Sequence, residues 1–149
     1  MVKRELGSEA PYGGLLADAM GLGKTLEVLA AMVGNPFSEE DAKNTVKGTL
    51  LVLPSSAIKQ WETEIRLHAE DYTFRKVIHY TSRMGVPLWA LTEADIVLTS
   101  YSEVRNSFPY PSRSELEACG GYRQWAESFK KSPGVLHQLE WYRIVLDEA

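Results

Sequence analysis

Short apolar runs alternate along this chain with segments of helical spacing. Thr49-Leu50-Leu51-Val52-Leu53, closed by Pro54, has the length and composition of a buried strand. Arg75–Tyr80, Asp95–Ser100 and Arg143–Leu146 read the same way, and Gly14–Ala17 reads as a shorter first strand. Lys24–Val33 predicts a helix with Leu26, Leu29, Ala30 and Val33 along one side, stopped by Gly34-Asn35-Pro36. A second helix is predicted from an N-cap at Ser55 or Ser56 to about His68, with Ile58, Trp61, Ile65 and Leu67 facing the core. Trp61 is expected as a core anchor. Pro87–Leu91 suits a helical turn. Strands alternating with helices predict βαβ units, hence an α/β fold around a parallel sheet.

Between these blocks the texture changes. Residues 1–12 are polar and expected to fray, and Ser38–Gly48 reads as a charged loop. Residues 104–140 hold Phe108-Pro109-Tyr110-Pro111 and Gly120-Gly121, and read as an insertion with one or two short helices.

Two stretches carry candidate chemistry. Gly13-Gly14-Leu15-Leu16-Ala17-Asp18-Ala19-Met20-Gly21-Leu22-Gly23-Lys24-Thr25 runs from a strand through a glycine-rich turn into a helix. Glycines let backbone N–H groups approach phosphate oxygens, and the helix N-terminus adds a positive dipole. In such loops the lysine reaches the β/γ-phosphates and the hydroxyl sits on Mg²⁺. The strict pattern places glycine where this chain has Asp18. At the other end, Ile144-Val145-Leu146 reads as a buried parallel strand followed by Asp147-Glu148. Ligands of open α/β sheets bind beyond the carboxyl ends of the strands. There an aspartate can hold hydrated Mg²⁺ and a glutamate can deprotonate water. Either half alone is as compatible with an ordinary turn; both in order point to a nucleotide site.

The bulk numbers leave that reading intact. At 149 residues, 44% hydrophobic and 24% charged, the chain suits one α/β domain with a real core. No apolar run approaches a membrane span, and the N-terminus has no apolar signal region. A single cysteine, Cys119, excludes an internal disulfide and a cysteine-rich zinc site in this stretch. His68, His79 and His137 show no metal-ligand spacing. A net charge of −4 does not advertise nucleic-acid binding, although a local basic strip can act on an acidic domain.

Four stretches in order resemble one family. Gly13–Thr25 resembles motif I of the SWI/SNF-type (sucrose-non-fermenting) helicase-like ATPases, in which aspartate at position 18 is the usual residue. Leu51–Ile65 resembles motif Ia, Asp95–Ser102 motif Ib, and Trp141–Ala149 the start of the DEAH-box motif II. The last wording is most similar to the post-replication-repair and transcription-termination branch, whose members often carry RING inserts. Ala19 departs from the family's usual glutamate.

The resemblance implies a P-loop NTPase (RecA-like) parallel sheet flanked by helices, an incomplete first lobe of a superfamily-two helicase-like motor spanning residues 1–149. It implies an ATP- and Mg²⁺-using, DNA-dependent ATPase that translocates on double-stranded DNA in chromatin remodelling or DNA repair, in the nucleus. The phosphates would be cradled by Asp18, Met20, Gly21, Leu22, Gly23, Lys24 and Thr25. Thr25 and Asp147 would hold the metal, with Lys24, Asp147 and Glu148 as catalytic residues. Ser55, Ser56, Lys59, Thr99 and Ser100 would meet DNA phosphates, with Arg83 a further candidate. Nucleosomes or DNA-bound proteins are implied targets, and a second RecA-like lobe an implied partner supplying the arginine finger. This stretch stops before the His of the DEAH box. By itself it is expected not to turn ATP over, and a sheet ending at Leu146 is expected to expose apolar surface. A non-catalytic nucleotide- or partner-binding fragment is the alternative. A small-molecule kinase is disfavoured by the Pro-Ser-Ser and Thr-Ser-Tyr-Ser strand ends.

Overall fold

The computed structural model describes residues 13–17, 23–38, 41, 45–70, 72–108, 111–129 and 134–148. Its elements are α1 (Lys24–Gly34), β1 (Val46–Leu53), α2 (Ile58–His68), β2 (Val77–His79), α3 (Leu88–Thr92), β3 (Ile96–Ser100), α4 (Tyr101–Ser107), α5 (Arg113–Cys119), α6 (Tyr122–Phe129) and β4 (Trp141–Leu146). Short 3₁₀ turns cover Ser82–Met84 and Val135–His137.

The four strands form one sheet in the order β2-β3-β1-β4, and every pairing is parallel. The chain is thus an α/β fold with a parallel sheet flanked by helices, the architecture that the resemblance to a RecA-like first lobe implies. The register sets Leu51 between Leu98 and Val145, and Val52 between Thr99 and Leu146. Because side chains alternate across a strand, the two faces read separately. Leu51, Leu53, Ile96 and Leu98 pack against Val28, Leu29 and Met32 of α1 and Ile58, Trp61 and Ile65 of α2. Leu50, Val52 and Val97 pack against Tyr80, Leu91, Ala94 and Leu136 on the other face. β1 and β3 are buried on both faces, which explains why each reads as a continuous apolar run.

Several sequence expectations shift. Gly14–Ala17 forms no strand: it pairs with no strand among the described residues, Leu15 is exposed, and Leu16 only packs against the core edge. The buried face of α1 is Val28, Leu29, Ala31 and Met32, while Leu26, Ala30 and Val33 lie exposed. Apolar residues surround this helix almost completely, so their spacing could not choose the face. Leu67 is exposed too, while Ile58, Trp61 and Ile65 are buried as expected. Neither Ser55 nor Ser56 caps α2: its N-cap is Ala57, reached by a turn in which the Ala57 N–H donates to Pro54 C=O. β1 starts at Val46, inside the expected loop, and β2 spans only Val77–His79.

β4 is parallel but not buried. It is a sheet edge among the described residues, with Ile144 57% and Leu146 55% exposed. Both lie on the face of Leu50 and Val52, whose cover meets β4 at Trp141 and leaves Ile144 and Leu146 open.

The stretch between α4 and β4 holds two short helices. Ser112 and Glu115 form a reciprocal capping box at the start of α5, which ends at Gly120 in the left-handed region. Trp125 of α6 is buried edge-on against Phe108, with ring centroids 5.8 Å apart.

Candidate nucleotide site

In a parallel sheet all carboxyl ends share one edge. Here that edge carries the turn after β1, the β3–α4 junction and Asp147-Glu148 after β4.

α1 begins at Lys24, as expected from the sequence, and its N-cap is Gly23 at φ 80°, ψ 28°. Only glycine adopts this left-handed conformation without cost. Gly23 therefore turns the preceding loop into the helix axis, and its carbonyl accepts the first helical bond from Glu27 N–H at 3.0 Å. Lys24 and Thr25 sit in the first turn, partly exposed, where N–H groups lack helical partners and the dipole is positive. Val28, Leu29 and Met32 anchor the helix below them. Asp18, Met20, Gly21 and Leu22, the rest of the expected cradle, lie outside the described residues.

Asp147 is held at three points. Its N–H donates to Val52 C=O at 3.0 Å, extending the ladder one step beyond β4. Its carbonyl accepts from Tyr101 Oη at 2.8 Å. Its Oδ2 accepts from Trp61 Nε1 at 2.8 Å. Among the described residues nothing donates to Oδ1. Glu148 follows, exposed, at φ 52°, a conformation non-glycine residues rarely adopt. Burial, then the charges of Asp147 and Glu148, push the Tyr101 phenol above its ordinary pKa, keeping it protonated and donating.

A hydroxyl and a carboxylate are hard oxygen donors. They suit Mg²⁺, which keeps several waters and is bound through one or two carboxylates plus substrate phosphates. No cluster of three or more His, Cys, Asp or Glu among the described residues could hold a metal as an all-protein cage. The donor set of Thr25 and Asp147 thus fits an ion that arrives with a nucleotide.

The residues expected to meet DNA divide. Ser55, Ser56 and Lys59 are exposed around the turn from β1 into α2, and Arg83 is exposed on its 3₁₀ turn. Thr99 is completely buried and its hydroxyl donates to Tyr80 C=O, which removes it from that set. Ser100 is buried as well: its Oγ caps α4 by accepting from Glu103 N–H and lies 2.8 Å from Ser102 Oγ. The same small hydroxyl residues that suggest phosphate contact in sequence are needed here to close a strand end and start a helix.

The sequence reading missed Tyr101 and the polar half of Trp61. A tyrosine one residue beyond the hydroxyl-rich strand end was the available signal for the first. Nothing in the spacing pointed to an 86-residue hydrogen bond from the Trp61 indole.

A separate cleft of about 370 Å³ opens at the amino ends of the strands, lined by Phe37, Lys47, Thr49, Asp95, Tyr142 and Arg143 among others. Its charges are engaged: Lys47 pairs with Asp95 at 2.9 Å, and Arg143 donates to the Asn35 carbonyl. No helix among the described residues is long and apolar enough to cross a membrane.

The family described as SNF2-related domain matches residues 1–149. The chain is 31% identical to DNA repair protein RAD5B of Arabidopsis thaliana over 162 residues, covering 92% of this chain and 11% of that protein. It is 35% identical to ATP-dependent helicase rhp16 of Schizosaccharomyces pombe over 137 residues, covering 92% of this chain and 14% of that protein. DNA repair protein rad8 of the same yeast is 31% identical over 158 residues, covering 93% of this chain and 12% of that protein. The chain thus spans only about a tenth to a seventh of these relatives' length. With the family matched over all 149 residues, and with a parallel sheet flanked by helices, the chain belongs to the SNF2-related family of helicase-like ATPases.

Proposed function

We propose that this chain forms the ATP-binding part of the first motor lobe of a DNA-dependent ATPase that translocates on double-stranded DNA. The observation that carries the reading is the hold on Asp147: a carboxylate fixed at the carboxyl edge of the sheet by the Trp61 indole, with Oδ1 open among the described residues. Family membership supports ATP as the nucleotide, and the names of the repair relatives support a role in DNA repair.

In this reading Gly21 and Gly23 offer backbone donors to the phosphates, Lys24 neutralises the terminal phosphate, and Glu148 takes the proton of the attacking water. Asp18, Met20 and Leu22 complete the cradle. Thr25 and Asp147 would hold Mg²⁺, which when bound offsets phosphate charge. Ser55, Ser56 and Lys59 meet DNA phosphates without reading bases, so binding is salt-dependent and sequence-tolerant. Turnover needs the second RecA-like lobe, and the place of work is the nucleus, on nucleosomes or other DNA-bound proteins.

The test is binding of a fluorescent ATP analogue with Mg²⁺ to the full-length native product, as wild type and as Lys24→Ala. The expected loss is at least about tenfold, in the range of one charge-assisted phosphate contact. Unchanged affinity overturns the nucleotide reading. In parallel, Lys59→Ala should weaken duplex binding uniformly across sequences and lower the salt slope by about one.

A further inference from the structure

Buried indole N–H groups need an acceptor, and a backbone carbonyl is enough. Trp141 shows this simple solution, donating to Leu136 C=O at 2.9 Å. Trp61 does something else. With its ring 4% exposed among Ile58, Ile65 and the sheet, its N–H reaches a carboxylate at the strand-end edge. A bond to an ionised acceptor is roughly twice as strong as a neutral one, and it fixes the side-chain rotamer of the acceptor.

Tyr101 completes the hold from the other face. Its ring packs with the Leu50, Val52 and Leu91 cluster while its hydroxyl donates to the Asp147 carbonyl. Side chain, carbonyl and N–H of Asp147 are thus held by α2, α4 and β1 respectively. The left-handed Glu148 that follows is the kind of backbone strain that persists only where its surroundings over-determine it. The indole nitrogen is donor-only, so it fixes Oδ2 and competes for nothing at Oδ1.

We propose that Trp61 and Tyr101 are positioning residues for Asp147, fixing its carboxylate and backbone so that Oδ1 faces the divalent ion that accompanies the nucleotide. The inference rests on the reading of Asp147 as the metal-holding carboxylate. It also ties that carboxylate to two strand-end junctions: α2 follows the Ser55-Ser56 turn, and Tyr101 directly follows Ser100.

The test uses the full-length native product and Mn²⁺ as the probe, its binding followed by electron paramagnetic resonance with a non-hydrolysable ATP analogue. Trp61→Phe keeps an aromatic ring in the core and removes the donor; Tyr101→Phe removes only the hydroxyl. Outer-shell partners of metal ligands typically account for 10–100-fold in metal affinity. Each variant is therefore expected to weaken Mn²⁺ binding about tenfold or more, while analogue affinity in excess chelator stays at the wild-type value. In an Asp147→Asn background neither change should weaken Mn²⁺ further, because the carboxylate that the two residues position no longer holds the ion. If Trp61→Phe does not fold, Tyr101→Phe decides alone. Wild-type Mn²⁺ affinity in the folded variants, with Asp147→Asn weakened, overturns the positioning roles and leaves the reading of Asp147 standing. Wild-type affinity in Asp147→Asn itself overturns that reading and this inference with it.

Discussion

The guanidinium of Arg143, at the start of β4, donates to the backbone carbonyl of Asn35 across 2.9 Å, joining the sheet edge to the C-terminal end of α1. Its other arm lies 3.4 Å from Thr49 Oγ1, and its charge stacks 5.1 Å over the Tyr142 ring. α1 begins at Lys24, so this contact fixes the far end of the helix whose first turn carries Lys24 and Thr25. Arg143→Leu would remove a charge-assisted hydrogen bond to a partly buried carbonyl, which costs about 1–3 kcal/mol. Denaturant unfolding should show a lower midpoint with an unchanged slope. An unmoved midpoint would mean that the arginine is ornamental to the fold.

Gly48 lies where the chain enters the centre of the sheet. A Cβ there would stand 2.9 Å from the Ala94 carbonyl and 3.2 Å from the Trp141 ring. The first neighbour is backbone of the loop into β3 and cannot rotate aside. Gly48→Ala should therefore destabilise by about 1–3 kcal/mol, the usual cost of overpacking. Thermal melting reads this directly. A variant as stable as wild type would show that the β1–β3 entry relaxes freely.

What the sequence showed follows from how much each residue's role depends on its neighbours along the chain. β1 and β3 were legible because both faces are covered, so Leu50–Leu53 and Ile96–Leu98 need no alternation. The start of α1 at Lys24 was legible because Gly23 is a local conformational demand. The buried face of α1 was not, because Leu26, Val28 and Leu29 are all apolar and only the sheet selects among them. β4 looked buried for a similar reason: Ile144 and Leu146 read as core, but cover is a property of distant elements. Thr99 and Ser100 had the right chemistry for phosphate, and tertiary structure uses their hydroxyls elsewhere. The hold on Asp147 was the least legible, since Trp61 and Tyr101 reach it across 86 and 46 residues.

The exposed Ile144 and Leu146 sit side by side on one face of a strand that is a sheet edge among the described residues, an arrangement that invites self-association. Thr is β-branched and suits a strand, so replacing both by Thr removes apolar surface without lowering strand preference. The chain carrying Ile144→Thr and Leu146→Thr should sediment with less dimer or larger species than wild type, and bind less of a hydrophobic dye. Its stability should stay within about 0.5 kcal/mol, as for surface changes. Equal self-association in both would assign the sticky surface to another part of the chain.

His137 makes the docking of the 3₁₀ turn at Val135–His137 sensitive to pH. Its ring lies 5.3 Å from Phe108, and its Nδ1 is 3.0 Å from Ser107 Oγ at the end of α4. Burial lowers its pKa from the ordinary 6.5, so the folded state disfavours the charged form. The unfolded chain then binds more protons at this site as pH falls below that value, and stability rises with pH where the unfolded state holds the extra proton. The contribution is complete above about pH 6.5 and is lost as pH falls through the folded pKa. His137→Asn has no charge to gain. The difference in Tm between pH 7.5 and pH 5.5 should therefore be smaller in this variant than in wild type, with both measured in the same buffers so that carboxylate effects cancel. The test is a difference of differences, and the substituted chain must melt cooperatively at both pH values for it to count. If the two proteins lose the same Tm on acidification, the ring is as well solvated in the fold as out of it, and the docking of this turn is independent of pH.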